Sequence, residues 1–137
     1  MQFTLRDVLI VRFGVEKADE AFFAAGKLAG QQYYKNVLGK PADLDALFAD
    51  LQRTLRELLI GIFRVESADP AKGSFVVTVG EDLDCSGIPV CSEQICTYDE
   101  GFLAGVFQAH TGREFRVKEV DCWGSGQRTC WFTIDPV

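Results

Sequence analysis

The chain has 137 residues, 47% of them apolar and 25% charged. That length suits one domain, residues 1–137, and that balance excludes a disordered chain and predicts a globular fold with a buried core. The net charge is −6 and the 14 basic residues are scattered, so no nucleic-acid partner is expected: a phosphate backbone would meet net repulsion.

The apolar runs Val8–Val11 and Leu58–Phe63 are cut off by Arg12 and Arg64. A spanning helix needs roughly 20 apolar residues, so no membrane span is expected. The opening MQFTLRDVLIVRF shows no basic leader and no small-residue cleavage site, which points to a cytoplasmic location. Five cysteines are an odd count for a reducing compartment and argue against a disulfide framework, leaving metal ligation or plain burial to explain them.

In chain order, the first predicted element is a helix from about Lys17 to Leu38, free of proline and anchored by Phe22, Phe23, Leu28, Tyr33, Val37 and Leu38. Its middle is small, Ala24-Ala25-Gly26 and Ala29-Gly30, which would let another helix approach closely. Gly39 fits a C-terminal cap and Pro41 a first-turn position, so a second helix is predicted from about Pro41 to Leu58. Leu44, Leu47, Phe48, Leu51, Leu55 and Leu58 give it one buried face. From Leu59 to Gly80 the period shortens to two, with Phe63 and Val65, then Phe75, Val77 and Val79, on either side of the loop SADPAKG. That is an antiparallel hairpin.

Residues Glu81 to Cys96 are irregular and carry three of the five cysteines, Cys85, Cys91 and Cys96. A third helix follows from about Tyr98 to Thr111, with Phe102, Leu103, Val106 and Phe107 on one face and Gly101, Ala104, Gly105 and Ala109 on a small-residue face, capped by Gly112. The chain closes on a second hairpin, strands near Glu114–Asp121 and Thr129–Ile134 joined through WGSGQR. The expected fold is therefore α+β: an antiparallel sheet of about four strands, built from two hairpins, with helices packed on one face.

Cys122 and Cys130 stand at the two bases of the Trp123–Thr129 loop, so pairing of the flanking strands would make their thiols neighbours. Glu119 precedes Cys122 by three, and Cys96 sits just before the third helix, whose N-terminal amides favour a thiolate. Three thiolates and a carboxylate are chemically suited to a closed, four-coordinate structural zinc site. In an ideal strand, however, residues three apart point to opposite faces, so a zinc site here requires the strand to bulge or end near Val120 and Asp121. Plain burial of the cysteines is the competing reading, Cys85 and Cys91 are competing ligands, and an iron-sulfur cluster would need tighter cysteine spacing.

The segment PVCSEQICTYDEGFLAGVFQAHTGREFRVKEVDCWGSGQRTC resembles the 4-vinyl reductase domain family. The likeness lies in order and spacing: a cysteine before a glycine-containing helix, then T-G-R, then K-E-V-D-C, then a glycine-rich turn and a last cysteine before an apolar strand. It covers about the last third of the chain, and the preceding elements agree in order. Sensory domains of phenol- and xylene-responsive activators in that family bind zinc through a Cys, a Glu and two further Cys, and the resemblance carries these roles to Cys96, Glu119, Cys122 and Cys130. The family is also similar in fold to transport-particle subunits that accommodate an acyl chain and to a protein implicated in reducing a tetrapyrrole vinyl group.

A compact apolar molecule is the ligand implied, with Phe63, Phe75, Phe102 and Phe107, four of eleven phenylalanines, as candidates to line its pocket and plain core as their alternative role. His110 is the sole histidine candidate for a haem ligand and, near a helix end, reads more simply as a partly exposed residue. No nucleophile with an adjacent base, no GxGxxG and no P-loop is present, so the family's enzymatic name is weak support for catalysis. The sequence thus points to a sensor-type binding domain with a structural zinc, expected as a homodimer and signalling through a separate effector protein. The rival readings are an assembly protein with a permanently filled acyl pocket, using the small-residue helix face as its dimer surface, and an accessory subunit in vinyl reduction.

Overall fold

A computed structural model describes residues 2–58, 62–69, 71–80, 97–121 and 129–137. Helix α1, Gln2–Phe13, leads through Gly14 into α2, Val15–Tyr33, and Gly14 takes a φ of 91° that favours glycine. The last turn of α2 widens into a π-helical turn at Tyr34–Leu38, which closes on Gly39 at φ 65°. The second predicted helix is α3, Leu44–Glu57, so Pro41 lies ahead of it rather than in its first turn. Asp43 decides the start: its side chain accepts from the Ala46 N–H at 2.8 Å and caps the helix. Strands β1, Ile62–Asp69, and β2, Ser74–Gly80, form the first hairpin; α4, Thr97–Thr111, and strands β3, Phe115–Asp121, and β4, Thr129–Pro136, follow.

The four strands pair antiparallel in the order β1-β2-β4-β3. The two hairpins are thus joined through β2 and β4, with Val79 opposite Cys130 and Val77 opposite Phe132. The expected α+β architecture is what the chain adopts. Phe63, Val77, Phe132 and Ile134 of the sheet are sealed against Leu47 and Leu51 of α3 and Leu103, Val106 and Phe107 of α4, and these form one core.

Helix α4 is held by α2 through an approach close enough to exclude side chains. A Cβ added to Gly26 or Gly30 would run into the backbone of Tyr98 or Phe102, and one on Gly101 or Gly105 into that of Phe23 or Lys27. The small-residue faces of both helices are therefore spent on each other, as close packing predicted. This corrects the rival expectation that such a face is a dimer surface: it is occupied within the chain.

Helix α1 was not anticipated. Its apolar residues are distributed around the helix instead of along one stripe, so period gave no signal. Val11 and Phe13 accordingly stand 86% and 59% exposed. No described helix is long and apolar enough to cross a membrane.

Candidate functional site

Strand β3 alternates cleanly at first, with Phe115 and Val117 inward and Arg116 and Lys118 outward. The next inward position is an acid: Glu119 is 6% exposed and lies opposite Phe132 of β4. Cys130, two residues from Phe132 on the same face of β4, is fully buried. Glu119 and Cys130 therefore share the inward face of neighbouring strands as diagonal neighbours.

The register then slips. Glu119 pairs with Phe132 but Asp121 pairs with Trp131, so Val120 is the extra residue of a β-bulge and points outward, 53% exposed. This is the irregularity that a ligand pair at Glu119 and Cys122 requires. Cys122 follows the bulge by sequence, and Cys96 immediately precedes α4; both lie outside the described residues, as do Cys85 and Cys91. Among the described residues no group of three or more His, Cys, Asp and Glu side chains is gathered. The two described members of the proposed set, a thiol and a carboxylate turned to one side of neighbouring strands, suit a cation in their chemistry.

The bulge is tied to α4. The Glu119 N–H donates to Glu100 Oε2 at 2.7 Å, joining the first turns of α4 to the strand. Burial pushes the Glu100 carboxyl above its ordinary value; that hydrogen bond and Lys118 pull it down, and Asp19 raises it further. Sequence reasoning missed Glu100, whose only signal was an acid near a helix start.

The four predicted pocket phenylalanines divide. Phe63, Phe75 and Phe107 gather around Phe48 of α3, with ring centroids 6.3, 5.5 and 6.0 Å from it, and Phe115 joins at 5.5 Å from Phe107. Phe63 and Phe107 are closed to solvent. Phe102 instead meets Tyr33 edge-on at 5.2 Å. Phe48 is the centre of the cluster and was read only as one residue of a helix stripe; its position three to four residues from Leu44 and Leu51 was the signal for its inward face.

A cleft of about 610 Å³ opens between α2, the start of α4 and β3. Its lining includes Glu16, Asp19, Glu20, Glu100, Arg116 and Lys118, a charged surface rather than an apolar one. His110 lies on α4 with its Nδ1 3.0 Å from the Tyr34 hydroxyl, and burial holds its pKa below 6.5 against a smaller opposing pull from Asp43.

Residues 75–136 match the family model of the 4-vinyl reductase domain, a span that contains all four proposed ligand positions. An uncharacterized protein of Methanocaldococcus jannaschii is 28% identical over 87 residues, 64% of this chain and 52% of that protein, so the chain spans about half of that relative's length. The phenol-responsive sensory domain of the transcription activator PoxR, in a structure with phenol, is similar with a TM-score of 0.73 at 17% identity, over 97% of this chain and 71% of that one. The trafficking protein particle complex subunit 3 of Naegleria fowleri, covalently bound to palmitic acid, is similar with a TM-score of 0.75 at 7% identity, over 99% and 90%. At such identities these two share the fold. The family resemblance read from the cysteine-bearing segment therefore holds: residues 75–136 carry the 4-vinyl reductase domain match, within a chain that has the fold of the sensory domain and of the trafficking subunit.

Proposed function

We propose that this chain is a sensor-type domain that binds a compact apolar molecule and carries a structural zinc on Cys96, Glu119, Cys122 and Cys130. The small-molecule reading is supported by the family match at residues 75–136 together with the fold shared along 97% of the chain with a phenol-responsive sensory domain. Phe63, Phe75 and Phe107, with Phe48 at their centre, are the apolar surface such a ligand would use, and Phe102 borders it from the α2 side. Because these rings pack on one another, entry of a ligand requires them to part, and only a molecule that favours the parted arrangement shifts the equilibrium.

The zinc reading is supported above all by the bulge at Val120, the irregularity that a ligand set containing both Glu119 and Cys122 calls for. When bound, zinc would act as a crosslink among the start of α4, the end of β3 and the start of β4. The chain's own part is to present a carboxylate and a thiol from adjacent strands with Val120 turned away. A cytoplasmic location, a homodimer and a separate effector protein complete the proposal; the dimer would use a surface other than the glycine faces of α2 and α4, which are spent inside the chain.

Native mass spectrometry with and without a chelator, together with thermal-shift assays, tests both parts. One zinc per chain and reversible thermal shifts with phenol-sized aromatics are the expected results. A chain purified without zinc, with unchanged stability of Cys130→Ser, would remove the metal. A fatty acyl chain that survives purification would replace sensing with the permanently filled assembly role, the reading favoured by the likeness to the palmitic-acid-bound subunit.

A further inference from the structure

We infer that a ligand enters this domain by displacing the ring of Phe48, an inference that rests on the apolar-ligand reading above and not on the zinc. Phe63, Phe75 and Phe107 are 1%, 4% and 0% exposed, so none of them meets the solvent from which a ligand arrives. Phe48 packs on all three, with ring centroids at 6.3, 5.5 and 6.0 Å, yet is itself only half-buried. Of these four rings it alone faces both the sealed cluster and the water.

The rings also differ in how firmly they are held. Phe63 and Phe75 are fixed in the ladder of the sheet, Phe63 opposite Val79 and Phe75 between Ala68 and Ile134. Phe107 stands on α4, which the glycine contacts clamp against α2. Phe48 stands on α3, which packs chiefly on β1 and the π-helical turn. The sealed face of α3 includes Leu47, Leu51 and Leu55, and Phe48 borders that face from outside. Its ring can therefore turn toward solvent while the leucines keep the helix in place. The turn uncovers Phe63, Phe75 and Phe107, contributed by three different elements, and vacates the space of one ring. The occupant is thus an uncharged molecule of about one ring's bulk, competing with the protein's own side chain for that place.

Competition of this kind has a sign. Truncating a wall of the site weakens binding, whereas truncating the ring that closes it strengthens binding, because the closed state no longer lowers the apparent affinity. The minor state of such an equilibrium is populated at about 0.1–10%, so a gain of about tenfold or more is expected for Phe48→Leu. Toluene and phenol are the probes, titrated into the full chain and followed by NMR. In the wild type, saturation is expected to abolish the NOEs from the Phe48 ring to Phe75 and Phe107 while keeping those between Phe75 and Phe107, whose centroids are 5.6 Å apart. Phe48→Leu is expected to bind more tightly than wild type, and Phe63→Leu more weakly. Binding that leaves the Phe48 contacts intact, a Phe48→Leu variant no tighter than wild type, or an equal gain in both variants overturns the displacement and leaves the apolar-ligand reading standing. If a variant does not fold, the wild-type NOEs decide alone. A wild-type chain in which neither probe moves an aromatic resonance overturns both.

Discussion

His110 and Phe107 sit three residues apart on α4 and answer to opposite physics. His110 hydrogen-bonds Tyr34 and has its pKa held below 6.5 by burial. A proton is then bound more readily by the unfolded chain, so the stabilisation from neutral His110 is fully present above pH 6.5 and declines as pH falls from there through the folded-state value. NMR titration is expected to give a midpoint below 6.5, moving toward 6.5 on denaturation. Phe107, fully buried among Phe48, Phe75 and Phe115, carries packing alone. Phe107→Ala is expected to cost about 3–5 kcal/mol, read from urea unfolding, because the rings around it relax only in part. That is a large share of the roughly 5–15 kcal/mol that stabilises an ordinary domain.

The decisive event among elements is the contact of α2 with α4. Replacing Gly30 or Gly101 by alanine gains helix propensity of about 1 kcal/mol, yet the new Cβ meets the backbone of the facing helix, which has no rotamer to yield. Overpacking outweighs propensity, and a net loss of about 1–3 kcal/mol in thermal or urea unfolding is expected for each. The sequence displayed this contact in part: glycines spaced four apart on both helices announced a close approach, but nothing in either helix named its partner. Within β3 the alternation of Phe115, Val117 and Glu119 was legible, and so was the need for an irregularity at Val120. Helix α1 was not, since its apolar residues form no stripe.

For the molecule as a whole, β2 and β4 join the two hairpins, so Glu119 and Cys130, the two described members of the proposed ligand set, border one continuous core. If the proposed zinc binds at that border, its binding would be coupled to folding of the whole sheet. Chelation is accordingly expected to lower the midpoint of a single unfolding transition followed by circular dichroism. At free zinc about a hundred times the dissociation constant, the stabilisation removed would be about 2.7 kcal/mol. Glu119→Gln, with one charge fewer at the site, should narrow the gap between the metal-loaded and chelated proteins.

By itself the sequence determined the α+β class, the two hairpins, the helix stops at Gly39 and Gly112 and the chemical character of the proposed ligand set. Each of these depends on local periodicity, on glycine's tolerance of positive φ, or on the residue types themselves. Tertiary structure decided that the glycine faces of α2 and α4 meet each other, that Phe48 stands at the centre of the aromatic cluster while Phe102 turns to Tyr33, and that Glu100 grips the β3 edge at Glu119. These are pairings between residues distant in the chain, and periodicity tells which face of an element is buried without telling what it is buried against.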